Sequence, residues 1–217
     1  MARVALVTGG TRGIGSAISV ALKVAGRHVV ASYAGNDHAA HAFSEATGIA
    51  TLKFDAGDFA QCQDSVAKIH ADHGPIEILV NNAGITRDAT MARMTRDMWD
   101  AVVDTNLGSC FNLCKLTFDD MRAKKFGRVV NVGSINGQAG QYGQVNYAAA
   151  KSGIHGFTKA LAQEARASAL PSMPSRQAMS IPTWCARYRK MCCKKLSPKS
   201  RWDGLATPRT SRAALCS

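Results

Sequence analysis

The sequence predicts an α/β protein built around a doubly wound parallel sheet. Residues 3–25 have the pattern of a short apolar strand, a glycine-rich turn and an amphipathic helix in direct succession. Segments with strand and helix patterns then alternate as far as about residue 164. Because such alternation joins parallel strands through helices, we expect a sheet that is covered on both faces.

Each element is predicted from its own pattern of apolar residues. The first strand covers residues 3–8 and the first helix covers residues 16–25. Short runs rich in Val and Ile predict further strands at 27–33, 49–54, 77–80 and 127–132. Apolar residues at helical spacing predict helices at 37–47, 58–73 and 95–124, and a last helix that contains Tyr147.

Glycines are concentrated between the first strand and the first helix, in the spacing G-x-x-x-G-x-G. Glycine allows the backbone to approach a pyrophosphate, and the N-terminus of the following helix favours its negative charge. The spacing differs from the G-x-G-x-x-G fingerprint of many dinucleotide folds. The order strand, loop, helix nevertheless predicts a phosphate site formed by Gly9, Arg12, Gly13, Ile14 and Gly15.

A tyrosine and a lysine lie four residues apart in the run NYAAAK, residues 146–151. On a helix, Tyr147 and Lys151 share one face and can approach each other. A nearby cation favours the charged form of an ionisable group, so Lys151 is expected to stabilise a Tyr147 phenolate. Such a tyrosine can exchange a proton with a carbonyl oxygen or an alcohol. The same spacing also occurs on ordinary helices, so this interpretation depends on the other motifs.

Three more polar motifs accompany the predicted strands and helices. The run Asn81-Asn82-Ala83-Gly84 follows one strand, Asn106 lies inside a long helix, and Ser134 follows the fifth strand. Together with the glycine loop and the Tyr-Lys pair, in this order, they resemble the short-chain dehydrogenase/reductase family from residue 1 to about 164. The resemblance implies a Rossmann-like fold and a nicotinamide cofactor that contacts Asn82, Ala83, Gly84, Tyr147 and Lys151.

The same resemblance implies a role for each candidate catalytic residue. Tyr147 would give a proton to the substrate carbonyl, and Lys151 would support that tyrosine and bind the nicotinamide ribose. Ser134 would donate a hydrogen bond to the carbonyl oxygen, and Asn106 would hold a water molecule in a proton relay to Lys151. Taken singly, Ser134 would be a turn residue and Asn106 a polar group that bends or caps a helix.

Three segments indicate which members of the family the chain resembles. They are NAGITRDAT at 82–90, NGQAGQYGQ at 136–144 and HGFTKALAQE at 155–164. They are similar to family members that reduce acetoacetyl-CoA to (R)-3-hydroxybutanoyl-CoA for polyhydroxybutyrate biosynthesis. The 3-oxoacyl-acyl-carrier-protein reductases of fatty-acid synthesis are the alternative, although they usually lack the repeated Gly-Gln spacing. The candidate substrate residues are Asp88, Gln141 and Gln144, in a glutamine-rich loop that also contains Gln138 and is otherwise a flexible polar loop.

The end of the second strand indicates which nicotinamide cofactor binds. Enzymes selective for NAD place a carboxylate there, which holds the ribose 2′-hydroxyl and repels a 2′-phosphate. The residues here are Ser32, Tyr33 and Ala34, without an acid, and Arg12 in the glycine loop can pair with a phosphate. We therefore predict NADPH as the cofactor. Asp55 matches the family position that contacts adenine, unless it is a plain turn residue.

Composition excludes several other classes of protein. The seven cysteines have no regular spacing, so neither a disulfide framework nor a metal site is expected, and Cys62, Cys110 and Cys114 are predicted to be buried thiols. Apolar runs are too short to span a membrane, and the chain starts directly with a strand pattern. These features favour a cytoplasmic enzyme, and the resemblance implies a homotetramer provided that the C-terminus is intact.

The composition changes after residue 166. Residues 1–166 carry 17 basic and 14 acidic side chains, whereas residues 167–217 carry 10 basic and 1 acidic side chain, with five of the six prolines. Permitted codons in another frame restore family-like sequence for two stretches of this segment, 171–185 and 202–211, so we interpret it as the product of a reading-frame change near residues 164–169.

The reading-frame change would divide the chain into two parts. The hypothesis gives a reductase domain at 1–166, missing its last two strands, and an aberrant basic tail at 167–217 that is disordered. The fifth strand would then become an exposed apolar edge, and the chain as written would be insoluble or inactive. The alternative from another class is an inactive cofactor-binding remnant whose basic tail contacts nucleic acid.

Overall fold

The computed structural model describes residues 2–167 of the 217-residue chain. The expectations for the basic tail at 167–217, including its disorder and the loss of two strands, concern residues outside this range apart from the backbone of Ala167. Within the described residues, no helix combines the length and apolar character needed to cross a membrane.

A five-stranded parallel sheet forms the centre of the described region, in the order β3-β2-β1-β4-β5. Each strand lies within two residues of its predicted bounds. The order reverses at β1, which lies between β2 and β4, so that the connections run outward in both directions as in a doubly wound fold. The strands are β1 Val4–Val7, β2 His28–Tyr33, β3 Ala50–Lys53, β4 Ile76–Asn81 and β5 Arg128–Asn131.

Within residues 2–167, seven α-helices connect or follow these strands. They are α1 Gly13–Val24, α2 Asp37–Thr47, α3 Phe59–His73, α4 Arg96–Val103, α5 Ser109–Ala123, α6 Asn136–Ala139 and α7 Val145–Ala167. Helix α1 begins inside the glycine loop, three residues before the predicted start. The four-residue helix α6 was not predicted, because its sequence NGQA has no helical pattern long enough to recognise.

The predicted long helix at 95–124 is interrupted by a π-helical turn at Asp104–Gly108. The side chain of Asn106 accounts for the interruption, because its amide donates to the backbone oxygen of Val102 at 2.8 Å. That carbonyl is the one to which the backbone N–H of Asn106 would bond in a regular α-helix. A π turn of this kind is frequent at functional sites, and here it places a polar side chain inside the protein.

Alternate residues of the strands pack against helices on the two faces of the sheet. On one face, Leu6 and Leu79 belong to a cluster that includes residues of α3 and α5, such as Ile69, Leu113 and Met121. On the other face, Val7 and Val80 pack with residues of α1 and α2, such as Ile18, Leu22 and Phe43. This confirms the prediction of a sheet covered on both faces.

Strand β5 forms one edge of the sheet within the described residues. Val129 and Val132 are partly covered by the two apolar clusters, whereas Val130 is 45% exposed. The edge therefore presents part of its apolar surface to solvent in residues 2–167. The predicted buried thiols Cys62, Cys110 and Cys114 are free and buried.

Candidate functional site

The predicted motifs meet at the carboxyl edge of the sheet. The glycine loop follows β1, the Asn-Asn-Ala-Gly run follows the end of β4, and the Ser134 loop follows β5. These are adjacent strands on one side of the position at which the strand order reverses. Ligands of open α/β sheets bind at such a position, and the topology therefore brings distant segments of the chain to one site.

Two glycines of the loop permit a backbone path that other residues could not follow. Gly9 has a φ of +58°, in the left-handed region. A Cβ on Gly15 would lie 2.1 Å from the backbone oxygen of Gly9 and 2.6 Å from the amide nitrogen of Asn82. By contrast, nothing lies within 4 Å of a Cβ on Gly13. The loop is therefore packed tightly on its inner side and open at the start of α1, which suits the approach of a pyrophosphate.

Asn82 fixes the glycine loop to the end of β4. Its side-chain amide donates to the backbone oxygens of Thr8 and Gly9 at 2.9 and 3.2 Å. Thr8, which sequence reasoning missed, accepts hydrogen bonds on its hydroxyl from the backbone nitrogens of Asn82 and Ala83, both at 2.9 Å. The only signal for Thr8 was its place directly before the glycines. Asn82 thus shapes the candidate cofactor loop through its side chain.

Lys151 lies inside the protein beneath the ring of Tyr147. The lysine is only 4% exposed, and its Nζ donates to the backbone oxygen of Val132 at 2.9 Å. The same Nζ lies 5.8 Å from the centroid of the Tyr147 ring. Burial lowers the pKa of Lys151 below its ordinary value. The predicted proximity of these two residues on α7 is present, with the ammonium group next to the half-buried aromatic ring.

Asn106 faces Lys151 across Gly84. Its amide nitrogen donates to the backbone oxygens of Ile85 and Val102. Its Oδ1 is buried without a hydrogen-bond partner among the described residues. A Cβ on Gly84 would lie 2.6 Å from this oxygen and 3.6 Å from the Nζ of Lys151. Gly84, Asn106 and Lys151 therefore form a small cradle. The Oδ1 of Asn106 is a hydrogen-bond acceptor in this cradle, and the Nζ of Lys151 is a donor.

Ser134 lies in the loop after β5, three residues beyond the end of the strand rather than at it. Its Oγ accepts from the backbone nitrogen of Asn136 at 3.2 Å, which leaves the hydroxyl proton available to another acceptor. The loop touches α7 at Gly137, where a Cβ would lie 2.7 Å from the backbone carbon of Lys151. This close packing holds the Ser134 loop against the helix that carries Tyr147.

Asn146 is a second residue whose importance sequence reasoning missed. It is fully buried, and its amide donates to the backbone oxygens of Arg87 and Met98 at 3.0 and 3.1 Å. Its Oδ1 accepts from the backbone nitrogen of Tyr147 at 2.8 Å. Asn146 therefore fixes the start of α7 to two distant segments, although its partners lie 59 and 48 residues away and no local pattern reveals them.

The candidate substrate residues do not all present free side chains. Gln144 accepts from the amide of Asn136 at 2.9 Å and donates to a carboxylate oxygen of Asp88 at 2.8 Å. A backbone bond from Ala89 to Gly143 adds to this bridge. Gln144 thus connects two loops of the site, whereas Gln141 is exposed. Gln138 lies in α6, so part of the predicted flexible loop is helical.

The remaining candidate cofactor residues are Arg12, Ile14 and Asp55. Arg12 is exposed and precedes the first residue of α1, and Ile14 is half exposed. Asp55 lies two residues beyond β3, and its Oδ1 accepts from the backbone nitrogen of Gly57 at 2.8 Å. That bond is typical of a turn, and contact of Asp55 with adenine stays a prediction. The open glycine loop and the Gly84 cradle fit an extended dinucleotide.

Residues 2–167 contain no group of three or more side chains suited to hold a metal ion. The polar groups of the site are instead a phenol, an ammonium, a hydroxyl and an amide. Such groups can transfer a proton and stabilise a developing negative charge.

The chain is similar in sequence to known proteins over most of the described residues. The family profile for short chain dehydrogenases matches residues 3–170. Acetoacetyl-CoA reductases from Shinella zoogloeoides and Rhizobium meliloti (strain 1021) are 59% and 57% identical to this chain over 167 residues, which cover 77% of this chain and 69% of each relative. The 3-oxoacyl-acyl-carrier-protein reductase of Escherichia coli (strain K12) is 43% identical over 164 residues, 75% of this chain and 67% of that protein. This chain belongs to the short-chain dehydrogenase family.

Proposed function

We propose that the site reduces acetoacetyl-CoA to (R)-3-hydroxybutanoyl-CoA with NADPH, as a step of polyhydroxybutyrate biosynthesis. The observation that carries the proposal is the buried Lys151 beneath Tyr147, beside the cradle of Gly84 and Asn106. The relatives named acetoacetyl-CoA reductase, at 57–59% identity, support the substrate.

The proposed chemistry divides between the cofactor and the chain. When bound, the reduced nicotinamide supplies a hydride to a carbonyl carbon. Tyr147 gives its phenolic proton to the carbonyl oxygen, and Lys151 stabilises the phenolate that remains. Ser134 donates a hydrogen bond to the same oxygen, where negative charge develops. Asn106 holds a water molecule between its Oδ1 and Lys151, which returns a proton to Tyr147.

We propose NADPH rather than NADH because no acid occupies residues 32–34 and Arg12 is exposed at the start of α1. Gly9, Gly13, Ile14 and Gly15 would carry the pyrophosphate on the backbone. Asn82, Ala83 and Gly84 would border the nicotinamide half, with Asn82 acting through the loop that it fixes. The backbone of Asp55, and the turn that Asp55 begins, would lie next to the adenine.

Substrate recognition is proposed for the loop that contains Asp88, Gln141 and Gln144. Gln141 is exposed and would contact the thioester or pantetheine directly. Gln144 would hold Asp88 and Asn136 in place, because both ends of its amide are already bonded to them. Reduction of a 3-oxoacyl group on acyl-carrier protein is the second candidate, supported by the 43% identical reductase of E. coli.

We also propose that the reductase domain ends near residue 166, in a cytoplasmic enzyme that forms homotetramers when its C-terminus is intact. Helices α5 and α7 form an apolar groove whose lining includes Phe111, Phe118, Phe157 and Leu161. Such a groove supports packing against a second copy. The match of the family profile ends at residue 170, which supports a change of reading frame near that point.

The test compares two thioesters and two cofactors with the chain as written and with a version in which the family reading frame is restored after residue 166. We expect the restored protein to consume NADPH with acetoacetyl-CoA at a higher kcat/KM than with acetoacetyl-acyl-carrier protein. A preference for the carrier protein would favour the second candidate. If the chain as written binds neither cofactor but retains nucleic acid that high salt removes, it would be an inactive remnant with a nucleic-acid-binding tail.

A further inference from the structure

The end of β2 lies directly beside the glycine loop. The backbone nitrogen of Gly10 donates to the backbone oxygen of Ser32 at 2.9 Å, so Tyr33 and the residues after it border the loop. A dinucleotide whose pyrophosphate meets α1 places its adenosine ribose at this end of β2. The charges that surround residues 33–37 therefore act on the ribose 2′-position.

A carboxylate is present at this position, outside the three residues considered from the sequence. Asp37 is the first residue of α2 and follows Gly15 by about 20 residues, the interval at which dinucleotide folds place the acid that binds the ribose 2′-hydroxyl. Burial, followed by the influence of the nearby Asp37 carboxylate, raises the pKa of Tyr33. Asp37 therefore reaches back toward the end of β2.

Lys53 neutralises this carboxylate. Its Nζ lies 2.9 Å from the Oδ2 of Asp37, and the register of the sheet pairs Lys53 with Tyr33. The hydrogen bond to Lys53 is the main cause that holds the pKa of Asp37 below its ordinary value, and the same bond raises the pKa of Lys53. The two side chains are 54% and 52% exposed, so both can be reached by a ligand.

We infer that Lys53 is a specificity-determining residue, which neutralises Asp37 so that the ribose end of the site accepts a 2′-phosphate. Without Lys53, Asp37 would present an uncompensated negative charge, which repels the phosphate and suits the hydroxyl of NADH. This inference rests on the proposed binding of a nicotinamide dinucleotide and adds the residue pair that selects its phosphorylated form.

We expect different effects on nucleotide binding when Lys53 and Asp37 are replaced. Lys53→Met leaves Asp37 charged, and should weaken binding of a 2′-phosphate by at least about threefold at low salt, with little change for a 2′-hydroxyl. Asp37→Asn removes the charge that Lys53 neutralises, and should leave 2′-phosphate binding equal or tighter. In the Asp37→Asn background, Lys53→Met should cause a smaller loss than it does alone.

The test measures binding of adenosine 2′,5′-bisphosphate, 5′-AMP, NADPH and NADH to the full-length restored-frame protein by calorimetry, without turnover. Lys68→Met is the matched control, because Lys68 pairs with Asp72 at 3.4 Å on α3 and its loss changes the net charge equally. The expected result is a loss specific to the 2′-phosphate in Lys53→Met, absent in Lys68→Met and reduced in the double variant. Circular dichroism checks that each variant is folded.

Two results would overturn the inference while the proposed function stands. One is NADPH binding that Lys53→Met leaves unchanged, and the other is an equal loss with and without Asp37, which would make Lys53 a direct phosphate ligand. A folded restored-frame protein that binds none of the four nucleotides would overturn the proposed cofactor site and this inference together.

Discussion

Among the single residues of the site, Lys151 is buried although its burial is unfavourable for the stability of the fold. Lys151 has one hydrogen-bond acceptor, the backbone oxygen of Val132, and no carboxylate forms an ion pair with it among the described residues. Burial disfavours its charged form, and the Tyr147 ring lies 5.8 Å away. A group that is unfavourable for stability at such a position is a candidate for a role in catalysis.

Tyr147→Phe tests the proton donor. The variant removes the phenolic hydroxyl with little change in volume, so we expect a loss of at least about 100-fold in kcat, the scale of general acid catalysis. NADPH binding should change little, because Lys151 and the glycine loop are untouched. Stopped-flow turnover and fluorescence titration of NADPH with the restored-frame protein measure the two quantities, and kcat near that of the parent would refute the assignment.

Lys151→Met tests the cost of burying the lysine through its pH dependence. The pKa of Lys151 is lowered in the folded state from an ordinary value of 10.5, so the unfolded chain binds the proton more readily between the two pKa values. Stability of the parent should therefore rise with pH in that window relative to Lys151→Met. Urea midpoints from neutral pH to about pH 10 measure the difference, with the exposed Lys159→Met on α7 as the control.

If the stability difference between the parent and Lys151→Met is constant with pH, Lys151 does not carry a lowered pKa.

At the scale of elements, close packing of glycine holds the catalytic segments together. The Ser134 loop approaches the backbone of α7 at Gly137, and α1 approaches the glycine loop at Gly15. A Cβ atom at either glycine would clash with the backbone that it approaches. The relative position of Ser134 and Tyr147 therefore depends on a residue without a side chain, in a four-residue helix that the sequence did not predict.

Gly137→Ala tests this packing. Its Cβ would lie 2.7 Å from the backbone of Lys151, so the loop must move, and overpacking of this kind costs about 1–3 kcal/mol. We expect a lower melting temperature and a fall in kcat. Gly156→Ala on α7 is the control, because nothing lies within 4 Å of its Cβ and alanine favours a helix interior by about 0.5–1 kcal/mol. Equal melting temperatures for the two variants would contradict the packing argument.

The sequence predicts those features of the site that depend on residue type and local order. The glycine loop, Tyr147 and Lys151 were found because their spacing is local and their chemistry is specific. Thr8 and Asn146 were missed, because their partners lie 74 and 59 residues away and emerge only when the sheet forms. Likewise, Asp37 was passed over because it lies on α2, beyond the residues at the end of β2.

At the scale of the whole molecule, the described residues form a five-stranded parallel sheet with its helices, with a partly exposed edge at β5. The basic segment at 167–217 lies outside them, so its interpretation as the product of a reading-frame change stays a prediction. The groove between α5 and α7 also leaves aromatic side chains uncovered within residues 2–167, including Phe111 at 55% exposure. Exposed apolar surfaces of this kind are typical of interaction sites.

Phe111→Glu tests assembly through the groove. In the restored-frame protein, a charge at this position should weaken packing against a second copy, and the oligomer should dissociate at lower protein concentration. Val24→Glu on α1 is the control, since Val24 is 83% exposed and lies outside the groove. Light scattering after size-exclusion chromatography measures the mass. An assembly that Phe111→Glu leaves intact would remove the groove as the interface.

The most direct test of the central claim is a steady-state assay of the restored-frame protein with acetoacetyl-CoA and NADPH, with chiral analysis of the product. The account predicts NADPH consumption that depends on acetoacetyl-CoA, yields (R)-3-hydroxybutanoyl-CoA and disappears in Tyr147→Phe. A folded protein that binds NADPH but does not reduce acetoacetyl-CoA, or whose Tyr147→Phe variant reduces it equally well, would contradict the account.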